Sequence, residues 1–300
     1  MNRILVFISI LNFSLAFGQS KVLDTLVDIG GYNMHFSIIK GEGAPILFES
    51  GAGDDGSVWK AIAKDVHDVT GTTVIYYDRS GFGTSELNPN HNKDEQFGIY
   101  NGILELERGL KKLGYFNDLI LVSHSYGGFY TTLFSSRNSI KVLYNIRVDA
   151  NLAGQYTEDI LIKAAQDNSI YELKEKNLGR YYLGINFANT LRLMWSLDYP
   201  KTIPAIDILS PIQRHHTDDE WKLLIKTHEK FVNEESNRIG IIAYGSGHYI
   251  FKDNPGLVLN AIVKAYVSTL DNENKRLEVL SKSVDKSMEL FIQQKKKERE

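Results

Sequence analysis

Ser125 has the sequence surroundings of a reactive hydroxyl. The apolar run before it, residues 119–122, has the length and composition of a short buried parallel strand. Small residues surround the hydroxyl at Ser123, Gly127 and Gly128, and the residues that follow have the apolar spacing of a helix packed on a sheet. A sharp strand-turn-helix elbow lifts its central hydroxyl onto a strained turn, and larger flanking side chains would collide with the neighbouring strand and helix. Ser125 is therefore the candidate nucleophile.

Three stretches of the chain resemble motifs of the α/β-hydrolase family, in the order in which that family has them. Residues 123–127, Ser-His-Ser-Tyr-Gly, are similar to its elbow G-x-S-x-G, with the small residue Ser123 in place of the first glycine. Residues 78–85 resemble the family's D-x-x-G-x-G-x-S turn, and residues 245–249 resemble its terminal G-x-G-H loop. The resemblance covers residues 22–270. It implies an α/β fold with a mostly parallel central sheet, helices on both faces and an inserted helical cap.

The same resemblance implies a general base and an oxyanion hole. In the terminal loop, His248 stands where the family has its base. The glycine-rich loop 51–56 follows an apolar strand, and such a loop supplies one backbone N–H to the developing oxyanion, while the residue after the nucleophile supplies the other. Carried over to this chain, the donors are the backbone N–H groups of Ala52 and Tyr126. The chain has Ser50-Gly51 where the family more often has His-Gly, a change that leaves the backbone donor in place.

We expect Asp149 to be the acid of a Ser-His-Asp triad. It follows the strand predicted over residues 142–148, and the alternation of strand, helix and strand implies a parallel sheet. In open sheets of this kind, ligand chemistry gathers at the carboxyl ends of the strands. Some members of the resembled family carry the acid at the end of this strand, so Asp149 should orient and stabilise His248.

Other carboxylates compete for this role. The family commonly places the acid in the turn after the next strand, where this chain has Gln213, which cannot supply a charge. Asp218 and Asp219 are the alternatives, although acidic residues in the first turn of a helix also serve by offsetting the helix dipole. Asp207 is less suitable because it falls inside a predicted strand.

The composition restricts the partners of the chain. It has 300 residues, of which 43% are hydrophobic and 24% charged, enough for one sizeable core with an inserted subdomain. A net charge of -3 offers no basic excess for neutralising phosphates, so no nucleic acid partner is expected. Cysteine is absent, which excludes disulfides and thiolate metal sites. The adjacent His215 and His216 point to different sides of most backbones and have no third ligand beside them, so we expect no metal and no cofactor.

The first eighteen residues have the pattern of a secretory signal peptide. A short positive segment ends at Arg3, a mostly apolar segment runs over residues 4–17, and small residues near Gly18 suit a signal peptidase. The apolar segment is shorter than the roughly 20 residues that span a bilayer, so no stable membrane insertion is expected after cleavage. The pattern therefore predicts a secreted or periplasmic protein.

Changes in composition along the chain predict its domain organisation. After the signal peptide (1–18), we expect a first part of the hydrolase core (19–150), a helical cap (151–201), a second part of the core (202–270) and a charged amphipathic C-terminal helix (271–300). The cap segment is rich in aromatic residues. Because a cap lies over the nucleophile, some of these aromatic side chains should line the substrate pocket.

The C-terminal helix carries a single apolar stripe. Its members lie three or four residues apart: Leu277, Leu280, Val284, Met288 and Phe291. The stripe allows three arrangements: docking on its own domain, pairing with a second subunit in a homodimer, or fraying at the end of the chain. It is too short to choose among them.

The leading functional hypothesis is an exported serine hydrolase that cleaves a small carboxylic ester through an acyl-enzyme. A serine nucleophile argues against the aspartate-dependent epoxide hydrolases and haloalkane dehalogenases of the same fold. One alternative is an aminopeptidase or a hydrolase of carbon-carbon bonds. The other is a protein without catalytic activity that binds a small molecule on a hydrolase scaffold.

Overall fold

A computed structural model describes residues 21–212 and 217–297 of the chain. The predicted signal peptide, residues 1–18, lies outside the described residues. So do Gln213 and the His215-His216 pair.

Within the described residues, the centre of the fold is one sheet of eight strands in the spatial order β1-β2-β4-β3-β5-β6-β7-β8. Strand β2 runs antiparallel to both of its neighbours, and the remaining pairings are parallel. The central strands are short runs in which every residue is buried, as expected where helices cover both faces. The strands are β1 (Val22–Asp28), β2 (Asn33–Ile39), β3 (Ile46–Glu49), β4 (Val74–Tyr77), β5 (Leu119–His124), β6 (Val142–Val148), β7 (Ala205–Leu209) and β8 (Arg238–Ile242).

Helices cover both faces of this sheet and form the connections between its parallel strands. The helices are α1 (Lys60–Thr70), α2 (Ile99–Leu113), α3 (Gly127–Arg137), α4 (Glu158–Gln166), α5 (Leu173–Lys176), α6 (Leu178–Ile185), α7 (Phe187–Trp195), α8 (Asp218–Asn233), α9 (Ile250–Asp253), α10 (Pro255–Val267) and α11 (Glu273–Lys297). One apolar core packs α1 and α10 against one face of the sheet. A second core packs α2 and α3 against the other face. The predicted α/β architecture, mostly parallel with helices on both faces, is confirmed.

The chain inserts four helices, α4 to α7, between β6 and β7. Leu161, Leu183, Leu191 and Met194 join these helices to the apolar core that contains α2 and α3. Tyr126 at the elbow reaches the same layer, where its hydroxyl lies 3.1 Å from the Thr190 hydroxyl. The inserted helices therefore pack directly on the elbow side of the sheet, as a cap.

Helix α11 docks through a face other than its apolar stripe. Val279 is buried, and Lys286 forms an ion pair with Asp65 of α1 at 3.0 Å. The stripe itself faces outward, with Leu277 59% exposed and Val284 66% exposed. Helix α11 therefore docks on its own domain, one of the three arrangements considered, but through the face of Val279 and Lys286 rather than through the stripe. Pairing with a second subunit remains a prediction. In the part of the chain that the structure describes, α11 and the other helices all lack a segment long and apolar enough to cross a membrane.

Glu105 of α2 is buried beneath the first hairpin. The Tyr32 hydroxyl donates to its carboxylate at 2.8 Å. Burial raises the pKa of Glu105 from an ordinary value of 4.5 to about 7. The folded chain therefore holds a proton that the unfolded chain releases near pH 4.5.

This proton makes stability depend on pH. Because the folded-state pKa is raised, the contribution is complete below about pH 4.5 and is lost as pH rises through about 7. The loss can reach about 3 kcal/mol, from about 1.4 kcal/mol per unit of pKa. In Glu105→Gln this loss should be absent. The melting temperature of the variant, relative to that of the wild type at the same pH, should therefore rise from pH 4.5 to 8. Glu175→Gln, at an exposed position of α5, should show no such trend, and parallel curves for all three proteins would contradict the assignment.

Candidate active site

The elbow between β5 and α3 places Ser125 in a strained backbone conformation. Its φ is 50°, in the left-handed region that residues with a side chain seldom adopt. The Ser125 carbonyl accepts hydrogen bonds from the N–H groups of Gly128 at 2.9 Å and Asn151 at 2.8 Å. These bonds hold the turn closed, so the hydroxyl stands at the carboxyl end of the sheet.

Small residues around Ser125 allow the elbow to approach its neighbours. A Cβ atom on Gly127 would lie 2.7 Å from the carbonyl oxygens of both Glu49 and Ser50. A Cβ atom on Gly128 would lie 2.7 Å from the Asn151 carbonyl oxygen. The steric reason inferred from the sequence for small residues here is therefore present at both glycines. Ser123 also fits: it is fully buried, and the Thr131 hydroxyl donates to its hydroxyl at 3.2 Å.

His248 and Asp149 form a hydrogen-bonded pair. His248 Nδ1 lies 2.7 Å from Asp149 Oδ2. The other carboxylate oxygen, Oδ1, accepts from the Ser210 N–H at 2.9 Å. Asp149 itself has a φ of 47° at the end of β6. With both oxygens occupied and its backbone turned, the carboxylate is fixed behind the imidazole ring.

Ser125, Asp149 and His248 line the same cavity, which has a volume of about 340 Å³. Among the described residues, no hydrogen bond joins the Ser125 hydroxyl to His248. In ligand-free hydrolases this bond often forms with good geometry only once a substrate is bound. With Nδ1 occupied by Asp149, Nε2 is the ring nitrogen left for proton transfer.

Arg79 orients the loop predicted to supply one oxyanion donor. Its guanidinium Nη2 donates to the Gly51 carbonyl oxygen. In a trans peptide the carbonyl and the N–H point in opposite directions, so the Ala52 N–H points away from Arg79. Ala52, Ser125 and Tyr126 line a common cavity. Within the described part of the chain, the N–H groups of Ala52 and Tyr126 donate to no other group.

Arg79 is held in turn by buried acidic and aromatic groups. Its Nε lies 3.6 Å from Glu49 Oε1, and the Tyr77 hydroxyl donates to the other oxygen of that carboxylate. Burial raises the pKa of Glu49 to about 7, while the Arg79 charge opposes the shift. The guanidinium also lies 5.0 Å from the ring centroid of Tyr130. The loop that carries Ala52 is therefore tied to a rigid group in the core.

Two cavities meet at Ser125, one on each side of the elbow. The first, of about 340 Å³, is bounded by α8 and includes Trp221, Leu224 and His228. The second, of about 320 Å³, lies under the inserted helices and includes Ile170, Leu183 and Phe187. Ser125, Asn151 and Tyr156 line both. A ligand bound at Ser125 can thus extend in two directions, and the cap aromatics Tyr156 and Phe187 lie in the pocket as expected of that segment.

The structure distinguishes among the carboxylates considered for the triad. Asp149 contacts His248, whereas Asp218 and Asp219 are exposed in the first turn of α8. Asp219 instead lies 3.7 Å from Lys222. Asp207 lies inside β7 and contacts His228. Among these carboxylates, Asp149 is therefore the one that contacts His248.

Sequence reasoning missed several supports of the site. Arg79 stands within the predicted turn motif, but its reach to Gly51 depends on the packing of two loops that are distant in sequence. His124 donates from Nε2 to the His248 carbonyl oxygen at 3.0 Å, and the centroids of the two rings lie 4.3 Å apart. His228 lies in the cavity against Asp207, a contact that no local motif indicates.

Comparisons with known proteins show the fold. No protein-family model matches the chain. The uncharacterized protein YqjL of Bacillus subtilis (strain 168) is 24% identical over 261 residues, which cover 81% of this chain and 92% of that protein.

Several solved structures superpose on most of the chain. A Vigna radiata epoxide hydrolase mutant superposes with a TM-score of 0.66 at 13% identity, covering 83% of this chain and 99% of the other. The epoxide hydrolase CorEH superposes with a TM-score of 0.56 at 17% identity, covering 83% of this chain and 99% of the other. Cfl2 wild-type from Burkholderia cenocepacia superposes with a TM-score of 0.60 at 12% identity, covering 81% of this chain and 95% of the other. The chain therefore has the α/β-hydrolase fold, as its motifs predicted.

The contact at Gly127 gives a test of the elbow. In Gly127→Ala the added methyl group would meet two carbonyl oxygens of the β3 end, and the elbow must shift to relieve the clash. We expect the free energy of unfolding, measured in urea, to fall by about 1–3 kcal/mol. The matched control is Gly256→Ala in α10, where a Cβ atom meets nothing closer than 3.6 Å. That variant should be neutral or gain about 0.5–1 kcal/mol. Equal losses in both variants would refute the steric account.

Proposed function

We propose that this protein is a serine hydrolase that cleaves small carboxylic esters. The observation that carries the proposal is the 2.7 Å contact between His248 Nδ1 and Asp149 Oδ2, in the cavity that Ser125 also lines. A nucleophile on a strained elbow, a base and an acid behind that base are the groups required for acyl transfer.

The proposed mechanism begins with proton transfer. Asp149 accepts a hydrogen bond from the Nδ1–H of His248 and stays ionised, which leaves the Nε2 lone pair to take the proton of Ser125. The serine oxygen then attacks the ester carbonyl carbon, and His248 returns the proton to the leaving alcohol. Water, activated by the same imidazole, hydrolyses the acyl-enzyme and restores the serine.

The backbone N–H groups of Ala52 and Tyr126 are the proposed oxyanion donors. They lie beside Ser125 in one cavity, and the bond from Arg79 to the Gly51 carbonyl supports the orientation of the Ala52 N–H. Donors fixed in advance stabilise the developing charge without rearranging during the reaction, and loss of one such donor typically costs about 3–4 kcal/mol of transition-state stabilisation.

The dimensions of the site favour small substrates. The two cavities of about 340 and 320 Å³ on either side of Ser125 suit an acyl group on one side and an alcohol group on the other. Much of the lining of the second is apolar, including Ile170, Leu183 and Phe187. We therefore expect short to medium acyl chains and modest alcohol groups.

The elbow residue argues against transferring the activity named for the similar epoxide hydrolases. The aspartate-dependent members of that class attack the epoxide with a carboxylate, and this chain has the hydroxyl of Ser125 at that position. Fold does not determine chemistry, so the residues of the site decide. The signal-peptide pattern of residues 1–18 supports export, so the proposed enzyme acts in a periplasm or in the medium.

Replacing the nucleophile tests the proposal. In Ser125→Ala, turnover of p-nitrophenyl acetate and butyrate should fall by roughly 10⁴-fold or more, because no group remains to form the acyl-enzyme. A fluorophosphonate probe should label the wild type at Ser125 and leave the variant unlabelled. Ser135→Ala is the matched control, since it removes a buried serine hydroxyl near the C-terminal end of α3, the helix that follows the elbow.

The outcomes of this test separate the alternatives. Unchanged ester turnover in Ser125→Ala would reject the mechanism. A wild-type protein that the probe does not label would favour a ligand-binding protein without catalytic activity. Labelling without ester turnover would direct the search to a panel of amide and carbon-carbon substrates.

Replacing the acid gives a more selective test. In Asp149→Asn, the side-chain oxygen can still accept from the Ser210 N–H, but the amide favours the wrong tautomer of His248. We expect kcat to fall by about 10⁴-fold with little change in KM or melting temperature. Asp219→Asn, at the exposed start of α8, should leave kcat within a few fold. A greater loss in Asp219→Asn than in Asp149→Asn would overturn the assignment of the acid.

A further inference from the structure

A second His-Asp pair lies in the wall of the same cavity. His228 Nδ1 lies 2.6 Å from Asp207 Oδ2, and the side chains are only 5% and 2% exposed. His228 lines the cavity of about 340 Å³ together with Ser125 and His248. The proposed mechanism makes no use of this pair.

The fold builds the pair from neighbouring strands and one helix. Arg147 of β6 and Asp207 of β7 are directly opposite in register, and Arg147 Nε lies 3.5 Å from Asp207 Oδ1. Helix α8 covers these side chains. Its residues Trp221, Leu224 and His228 follow one another by three and four positions, so all three share the face that lines the cavity.

Such a cluster is a poor source of stability. Taking charged groups out of water costs several kcal/mol per ion, and apolar residues of similar volume are often as stable or more so. Stability alone would therefore be served as well by apolar side chains at the positions of Arg147, Asp207 and His228. Ligand pockets contain a few fixed polar groups that orient the ligand, and this pair is placed in the cavity wall as such a group would be.

The contact with Asp207 assigns the two ring nitrogens of His228. A carboxylate oxygen accepts hydrogen bonds, so Nδ1 donates to Asp207 Oδ2. In the neutral ring the other nitrogen, Nε2, is then an acceptor.

The Nε2 atom of His228 can still accept a hydrogen bond from a ligand. It has no hydrogen-bond partner among the described residues, and it keeps some exposed surface. Since His228 lines the cavity, Nε2 is placed to meet a ligand there. The Asp207 bond fixes the ring, so this acceptor has a defined direction.

We propose that His228 Nε2 accepts a hydrogen bond from a hydroxyl or N–H group of the substrate, and so selects esters that carry such a donor on the portion facing α8. This inference rests on the proposed function and narrows its substrate class. His228 would be a specificity residue: a substrate without the donor leaves a buried acceptor unpaired, which costs binding and transition-state stabilisation.

Matched substrates test the proposal. The first pair is p-nitrophenyl 3-hydroxybutyrate against p-nitrophenyl butyrate, which varies the acyl group. The second is the butyrate monoester of ethylene glycol against propyl butyrate, which varies the alcohol. In the wild type, kcat/KM should favour the hydroxylated member of at least one pair by tenfold or more, about 1.4 kcal/mol and the size of one hydrogen bond.

Two substitutions at His228 distinguish the role of Nδ1 from that of Nε2. In His228→Asn the amide nitrogen can still donate to Asp207, but no atom reaches the Nε2 position, so the preference should fall at least tenfold. In His228→Gln the amide oxygen reaches that position and should restore part of the preference. Because each preference is a ratio within one variant, damage to the common machinery cancels. Lys222→Gln, at an exposed position of α8, should keep the wild-type preference.

Fluorophosphonate labelling of Ser125 in every variant distinguishes the two possible failures. A wild type without labelling rejects the hydrolase function and this inference with it. Labelling without any preference in either substrate pair rejects the inference and leaves the hydrolase intact. A preference that persists unchanged in His228→Asn also overturns it.

Discussion

The site depends on two backbone turns that few residues tolerate. Ser125 and Asp149 have φ values of 50° and 47° at the carboxyl ends of the adjacent strands β5 and β6. Conformations of this kind cost of order 1–3 kcal/mol each and persist only where the surroundings enforce them. One bond links the two turns: the Asn151 N–H, two residues beyond Asp149, donates to the Ser125 carbonyl at 2.8 Å. The proposed nucleophile and the proposed acid are thus linked through the backbone.

Buried ion pairs flank this centre on both sides. Arg79 and Glu49 hold the glycine-rich loop on one side, and Arg147 and Asp207 support His228 on the other. Both pairs carry a desolvation cost that apolar packing would avoid. Their cost is offset by orientation: Arg79 fixes the Gly51 carbonyl, and Asp207 fixes a ring in the cavity wall.

The C-terminal helix illustrates how a pattern can predict an element without determining which of its faces makes contacts. The stripe of Leu277 to Phe291 correctly predicted a helix, because apolar residues at steps of three and four are typical of one. The face that docks combines the buried Val279 with the Lys286 ion pair and the hydrogen bond from Ser283 to Asn260 at 2.6 Å. Which face a helix buries depends on the surface that receives it, and that surface comes from α1 and α10, far away in the chain.

Local pattern was sufficient for the elements and for the residues of the catalytic proposal. The elbow at Ser125 and the strand ending before Asp149 could be inferred because strand, turn and helix signals act over a few neighbouring residues. The position of His248 came from a short loop motif of the resembled family. The sequence favoured Asp149 and kept Asp218 and Asp219 as alternatives, and the fold supplied the contact between Asp149 and His248. The roles of Arg79 and His228 were beyond the sequence for the same reason: their partners Gly51 and Asp207 are 28 and 21 residues away, and only the packing of the sheet brings them into contact.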